Sequence, residues 1–553
     1  MPGFPHRTNQ RPLQKGLFAL AAATLLAACA APGPTETVGL SPLSEATSAI
    51  APTPTAAPTL IPYESPDWFQ NAVLYEVYVR SFYDSDGDGT GDLRGVEMKL
   101  DYIESLGADA IWLMPIFPSP SLHGYDVTDF VAVNPEYGTL ADLQSLVAAA
   151  HARGLRILLD FVPSHLSEQH PLFVEAYANP ESEHTDWFVF TNDANTLYAG
   201  FANNTEMPRF NHYNPEVVDY LNEAALFWLD LDGDGDFTDG MDGFRVDNAT
   251  FPPQEFLVSL RQAVKAANPE ALLLGETWVP DPRSLSIYYQ DQFDALFDFP
   301  LYSALQGGPN SPGDGVLNGK GFASLLGPLF EEQDERYPVE GLRVRFISNH
   351  DTDRIATEVR RDPTRQRLAA SLLACLPGPL MVYYGEEIGM PGQKGTSPWW
   401  DAYRRAPLDW YAAEQGPGQA TWFLQPDRDN QPHDGISVEE QDGNPTSLLT
   451  WYRSLLGLRR STPAVQEGIA AFPDAEGLGK TGLLILRGEG PASVLCAYNF
   501  GDEPLDIVVS GLPFNAGQLQ DLLTGPPLPV EFDPAAPYTF TLPPLSSFWL
   551  SGD

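Results

Sequence analysis

Two charged side chains, Arg245 and Asp247, stand two places apart in GFRVD (243–247), a stretch that otherwise reads as a buried strand. Side chains repeat every second residue along a strand, so the cation and the carboxylate point to the same side. Such a pair is costly to bury unless something uses it. Other reactive residue types share its setting: Asp160 and His165, Glu276, and His350 with Asp351 each end or follow a short apolar run. Any one alone reads equally as a capping or salt-bridge residue, whereas a common position at strand ends points to one site.

The elements that must position them alternate. From Asp67 to about Arg460, apolar runs of strand length alternate with helical patterns, which predicts βα repetition and a parallel sheet. The expected strands are VLYEVYVRSF, AIWLMPI, RILLDFV, GFRVD, ALLLGET, DALFDF, RFISNHD and PLMVYYG. Eight βα units predict an α/β chain with a (β/α)8 TIM-type barrel over 67–461, a fold that carries its chemistry at the C-terminal strand ends. After Ser461, short alternating strands with turn signals (GLLILRG, SVLCAYNF, LDIVVSGLP, SSFWLSG) predict an antiparallel β-sandwich over 462–553, expected to pack against the barrel.

Composition narrows the ligand. With 31 basic against 74 acidic residues the formal charge is -43, so the surface repels nucleic acid and neutral or cationic ligands remain. The first residues form an address: His6, Arg7, Arg11 and Lys15 precede GLFALAAATLLAA (16–28), too short to span a bilayer and suited to a secretory leader. The leader ends at LAAC (26–29), which resembles a bacterial lipobox and implies lipidation of Cys29, so 1–29 is expected to be removed or modified on export. The Pro/Thr/Ala-rich stretch 30–66 reads as a tether, and the expected location is the cell surface or periplasm, with the lipid as the only membrane contact. Cys375 and Cys496 read as small core residues; neither a disulfide framework nor a zinc site is expected.

With these residues placed, DFVPSH (160–165), GFRVD (243–247), GETW (275–278) and FISNHD (346–351) resemble, in order, the four motif regions of the α-amylase family, glycoside hydrolase family 13. HGYDVTDF (123–130), MPRFNHYNPEV (207–217) and MVYYGEEIGM (381–390) resemble further family segments, and the likeness covers most of 67–553. It implies a retaining glycosidase with Asp247 as nucleophile, Glu276 as general acid/base and Asp351 as the third carboxylate, which grips sugar hydroxyls. Arg245 then favours ionised Asp247, while neighbouring carboxylates favour a proton on Glu276. By the same likeness His165 and His350 donate to sugar hydroxyls, Tyr125 stacks on the ring, and Asp160 orients Arg245. The implied substrate is an α-glucan or malto-oligosaccharide.

Two aspartate ladders stand apart from that set. DSDGDGTGD (84–92) and DLDGDGDFTDGMD (230–242) place oxygen donors at every second residue, with glycines allowing the tight curl that a hard cation requires. The first resembles the calcium loop of oligo-1,6-glucosidase relatives, implying Asp84, Asp86, Asp88, the Thr90 carbonyl and Asp92 as Ca2+ ligands; the second repeats the pattern with Asp230, Asp232, Asp234 and Asp236. Departures from the family bear on the substrate. Ser164 replaces a common Asn calcium ligand, Asn248 to Phe251 replace a Lys-His pair, and the domain inserted after strand 3, about 163–211, is short. An open cleft and endo action on α-1,4 linkages are therefore expected, with an α-glucosidase or transglycosylase on short oligosaccharides as the alternative. Trp399, Trp400 and Trp410, in the long loop after the eighth strand, are candidates for stacking on added sugars, with core packing an equal reading for any one. A non-catalytic glycan-binding lipoprotein is disfavoured, because all three motif carboxylates are present.

Overall fold

The computed structural model describes residues 64–308 and 311–552. The leader, Cys29 and the tether up to residue 63 lie outside the described residues. Eight parallel strands follow one another around a barrel: β1 Val73–Val77, β2 Ala110–Leu113, β3 Arg156–Phe161, β4 Gly243–Val246, β5 Leu272–Gly275, β6 Ala295–Phe297, β7 Leu342–Val344 and β8 Leu380–Tyr383. Each neighbour pair is in parallel register, β8 pairing back onto β1, and a parallel bridge between Arg345 and Leu380 closes the ring. Leu74, Trp112, Leu158, Leu274, Phe297 and Met381 fill the barrel interior. A larger apolar layer lies between sheet and helices, as a sheet buried on both faces requires.

Two strands differ from expectation. β1 stops at Val77 and Val79–Phe82 coils into a short helix. β7 begins upstream of RFISNHD: its ladder runs over Leu342–Val344, and beyond the Arg345 bridge the polar SNHD stretch bonds elsewhere. There Ser348 Oγ donates to Glu386 at 2.5 Å and Thr352 Oγ1 accepts from Asn349 N at 3.0 Å. Polar side chains that satisfy the backbone locally release it from the sheet.

The segment inserted after β3 carries one hairpin, Gly200–Phe201 with Asn204–Pro208, and an antiparallel bridge between His165 and Arg209 brings its two ends together. The C-terminal region is a sandwich of a six-stranded and a three-stranded antiparallel sheet around Leu495, Ile507, Phe540 and Leu550. Cys375, at the end of the helix Pro363–Cys375, forms a disulfide with Cys496 on the sandwich strand Val494–Asn499. This corrects the expectation of two independent core cysteines. The partners are 121 residues apart and meet only because sandwich and barrel pack together, which no local pattern encodes.

Candidate active site

Register accounts for the centre. Asp160 on β3 lies directly opposite Arg245 on β4, so both side chains rise on one face of adjacent strands. Gly243 permits the close approach: at φ +136° it lies where a Cβ would meet the Leu272 carbonyl at 2.1 Å. Beyond the last ladder residues the chain still holds its neighbours, Asp247 N donating to Phe161 O at 2.8 Å and Glu276 N to Val246 O at 3.0 Å.

Arg245 is fully buried and is the hub. Its Nη1 donates to Asp160 Oδ1 at 2.8 Å and to Asp247 Oδ1 at 2.9 Å, and its Nη2 lies 2.8 Å from Glu276 Oε1. The Trp112 ring lies beneath the guanidinium, 5.1 Å away. One buried cation thus meets three carboxylates, more negative charge than it can neutralise. Burial, opposed by Arg245 and aided by Glu276, Asp160 and Asp351, pushes the Asp247 carboxyl well above the usual carboxylate range. Burial raises Asp160 likewise, to about 6, against the pull of Arg245. Arg245 acts on Asp247 in the expected direction, favouring the ionised form, against a burial effect that is larger.

A second web surrounds His350. Nδ1 lies 2.6 Å from Glu76 Oε1, Nε2 lies 3.1 Å from Asp351 Oδ2, and the Tyr125 hydroxyl joins Nε2 (2.7 Å) to Asp160 Oδ2 (3.0 Å). Burial disfavours the imidazolium, but Asp351 and Glu76 outweigh it and raise His350 to about 9. Burial disfavours the Asp351 carboxylate too; His350 and Arg405 overcome this and hold it well below the usual range. Asp351 and Asp247 are thus displaced in opposite directions.

Glu76 and Arg405 are the partners that sequence reasoning missed. Glu76 is a fully buried carboxylate in the five-residue strand VLYEV, and that lone charge was the available signal. Arg405 arrives from the long loop after β8, its Nη2 donating to Asp351 Oδ1 at 2.8 Å. His165 is buried, with Nδ1 2.6 Å from Ser164 Oγ and the ring 4.5 Å from Phe201; burial pushes it down to about 3, so it stands neutral. Ser164, where the family often has Asn, serves this imidazole.

A cavity of about 190 Å³ is lined by Tyr125, His165, Asp247, Glu276 and Asp351, with Phe201 and Met207 from the inserted segment; Arg245 and His350, expected to touch the sugar, are fully buried and do not line it. Glu276 is fixed on both oxygens: Oε2 accepts from Asn248 N at 2.9 Å and Oε1 from the Trp278 indole at 2.7 Å. Asn248 therefore acts through its backbone, at φ +41°. Trp410 is not a sugar platform. It is buried among Phe82, Tyr83 and Tyr102, its indole bonded to Phe82 O, while Trp399 packs on Phe423 and Trp400 is exposed.

The ladders lie apart from the cavity. Ligand atoms of Asp84, Asp86 and Asp88 lie within 4.8 Å of one another, as do those of Asp230, Asp232 and Asp234. Three converging carboxylates suit a hard cation. The Asp92 and Asp236 carboxylates, also expected as ligands, do not join them. Asp92 caps the helix Leu93–Met98 by accepting from Gly95 N at 2.8 Å and also accepts from Ser85 Oγ; Thr90 N donates to Asp88; Asp236 accepts from Thr238 Oγ1 at 2.6 Å.

Comparison with known proteins agrees with this centre. Residues 76–468 match the family model described as alpha amylase, catalytic domain. "Alpha-amylase 3" of Dictyoglomus thermophilum is 34% identical over 426 residues, covering 73% of this chain and 80% of that protein. "Probable alpha-glucosidase" of Rhizobium meliloti is 31% identical over 514 residues, covering 79% and 90% respectively. The crystal structure of the alpha-amylase from H. orenii superposes with a TM-score of 0.75 at 32% identity, over 88% of this chain and 100% of that one. A family model spanning the barrel, and relatives matched along most of their length, make the chain a member of the alpha-amylase family of glycoside hydrolases.

Proposed function

We propose that the protein is a retaining, endo-acting hydrolase of α-1,4 linkages in starch-type glucans and malto-oligosaccharides. The observation that carries the chemistry is one buried guanidinium held between Asp247 and Glu276. Asp247 Oδ attacks the anomeric carbon as Glu276 gives its proton to the departing oxygen; water, deprotonated by Glu276, then releases the glycosyl group from Asp247 with retained configuration. Asp351, kept ionised by His350 and Arg405, grips hydroxyls of the same sugar.

Endo action is supported by the cleft. The inserted segment contributes a single short hairpin, and a further cavity of about 240 Å³ adjoins the reacting one, leaving room for chain beyond the cleaved sugar. The exo alternative draws on Arg405 and Asp401, which line the reacting cavity beside Asp351. Maltoheptaose blocked at its non-reducing end decides between them: the expected result is cleavage to short malto-oligosaccharides, and resistance with glucose as sole early product from the unblocked chain supports the glucosidase.

The same reading includes Ca2+ on the aspartate ladders, as a structural ion that takes no part in bond breaking, and export with a lipid anchor at Cys29. Labelled fatty acid should enter the wild type and not Cys29→Ser; an unlabelled wild type returns the case to simple secretion.

A further inference from the structure

Leu74 of β1 packs in the barrel interior, and Glu76, two residues on, points the same way between its register partners Trp112 on β2 and Tyr383 on β8. Glu76 is fully buried, and among the described residues only its Oε1 has a hydrogen-bond partner. That partner is His350, through Nδ1 at 2.6 Å and the backbone N at 3.4 Å. A buried carboxylate with one oxygen bare is costly, and nothing in the packing of β1 calls for it. Its charge is turned wholly on one imidazole.

The other groups around that ring decide what the charge does. His350 Nε2 meets the Tyr125 hydroxyl at 2.7 Å and Asp351 Oδ2 at 3.1 Å, the Trp112 ring stands edge-on at 5.5 Å, and Arg405 Nε donates to the His350 carbonyl at 3.1 Å. Tyr125, with the Arg245 guanidinium 5.7 Å from its ring, donates to Asp160 Oδ2 at 3.0 Å. With its proton on that bond, the hydroxyl can only accept from Nε2. Asp351 and Glu76 can only accept as well. Both ring nitrogens must therefore donate, which only the imidazolium does, whereas a neutral ring turns a lone pair on one carboxylate. Burial opposes the imidazolium; Asp351 and Glu76 outweigh it and raise His350 to about 9. Of these residues Asp351 lines the reacting cavity and His350 and Glu76 do not, so what Glu76 does reaches the sugar through Asp351.

We propose that Glu76 is a positioning residue for the reaction: it holds His350 as an imidazolium that donates from both nitrogens, and that imidazolium, with Arg405, keeps Asp351 ionised and aimed into the cavity. The proposal rests on the α-glucan reading and extends it to the residue that fixes the charge of the third carboxylate.

The test reads pH. In α-glucosyl fluoride the halide departs without a proton, so Glu276 sets no alkaline limb and the limb reports the His350 ring. In the wild type kcat/KM should fall only near pH 9. Glu76→Gln keeps the shape and removes the charge, and should move that limb down by about 1 to 3 units, the effect of one close charge. Glu76→Asp keeps the charge and should leave the limb near its wild-type position. Equal shifts in the two variants, or a Glu76→Gln loss of the same size at every pH, is what a merely structural role gives and overturns the proposal. 15N NMR of the wild type, with the His350 signals identified by their absence from His350→Asn, reads the ring directly. Both nitrogens should carry protons at about pH 7.5, above the ordinary histidine range; a neutral imidazole there overturns the proposal whether or not the variants fold. A wild type that leaves α-glucosyl fluoride intact fails the α-glucan reading itself, and the NMR result then decides this proposal alone.

Discussion

At the reacting centre Asp160, Asp247 and Glu276 close on Arg245 from the ends of three adjacent strands, with almost no exposure. In the ladders the same residue type stands on loops, mostly exposed, and is satisfied by its own turn: Asp84 Oδ1 accepts from Gly87 N at 2.7 Å and Asp230 Oδ1 from Asp234 N at 3.1 Å. Sheet register holds the first set in place whether or not substrate is present. The second set holds its curl by local bonds, which an ion would reinforce and need not create. Carboxylates held by strands should therefore govern rate, and carboxylates held by turns should govern stability alone.

The largest effect expected from this contrast is on turnover. Asp247→Asn removes the nucleophile and Glu276→Gln the proton donor, and each should lower kcat on maltoheptaose by about 10⁴-fold or more with thermal stability retained. Stability survives because each amide removes negative charge from a group of three carboxylates around one cation. Asp160→Asn is the counter-case. Asp160 receives Arg245 Nη1 on both oxygens and Tyr125 as well, so its loss should lower the melting temperature along with activity. The sugar product of the wild type should first appear by NMR as the α-anomer. An initial β-anomer would refute the double-displacement role of Asp247.

This division also explains what could be read from the sequence. The barrel was legible because short apolar runs alternate with helical patterns, and Asp247, Glu276 and Asp351 because they end or follow such runs inside motifs that resemble those of the family. Glu76 was legible in principle, a single charge inside VLYEV, yet its meaning depends on His350, which is 274 positions away. Arg405 and the Cys375–Cys496 disulfide were not, since each meets its partner only through packing of separate segments. Trp410 stayed open between sugar stacking and core packing because a loop assignment says nothing of burial; Lys99 and three aromatic neighbours enclose it. The ladders showed their spacing plainly, but spacing could not tell that Asp92 turns away to cap a helix.

An intermediate effect concerns pH. Attack needs ionised Asp247, whose carboxyl burial pushes upward, so kcat/KM should rise with pH through a limb above the ordinary carboxylate value of about 3.9. Asp351 works in the other sense. With its folded pKa depressed, the stability it contributes is present above about pH 4 and is lost only as pH falls below that toward its folded value. For His350, raised to about 9, the contribution is full below about pH 6.5 and fades as pH climbs through 9. A pH–rate profile with its acid limb at or below the ordinary carboxylate value would contradict the burial of Asp247 as the controlling influence.

The smallest effect belongs to the ladders, and it sharpens the contrast with the centre. An ion that binds only the folded loops adds stability by mass action, about 2.7 kcal/mol when its concentration is 100 times Kd. For a chain of this size that corresponds to a shift of no more than about 5 °C in melting temperature. Chelation should therefore lower Tm by a few degrees and leave the initial rate at 25 °C nearly unchanged, because no ladder carboxylate lines the reacting cavity. The two ladders should not respond equally. Asp84 is buried, with its backbone N–H fixed to Gly418 O at 2.9 Å, so the first loop meets an ion with less ordering left to lose. Asp230 is only half-buried, and Asp232 and Asp234 are exposed. Asp86→Ala should accordingly remove more of the calcium-dependent rise in Tm than Asp232→Ala. If chelated and calcium-loaded protein melt together, both ladders are turns that hold themselves, and the cation has no place in either.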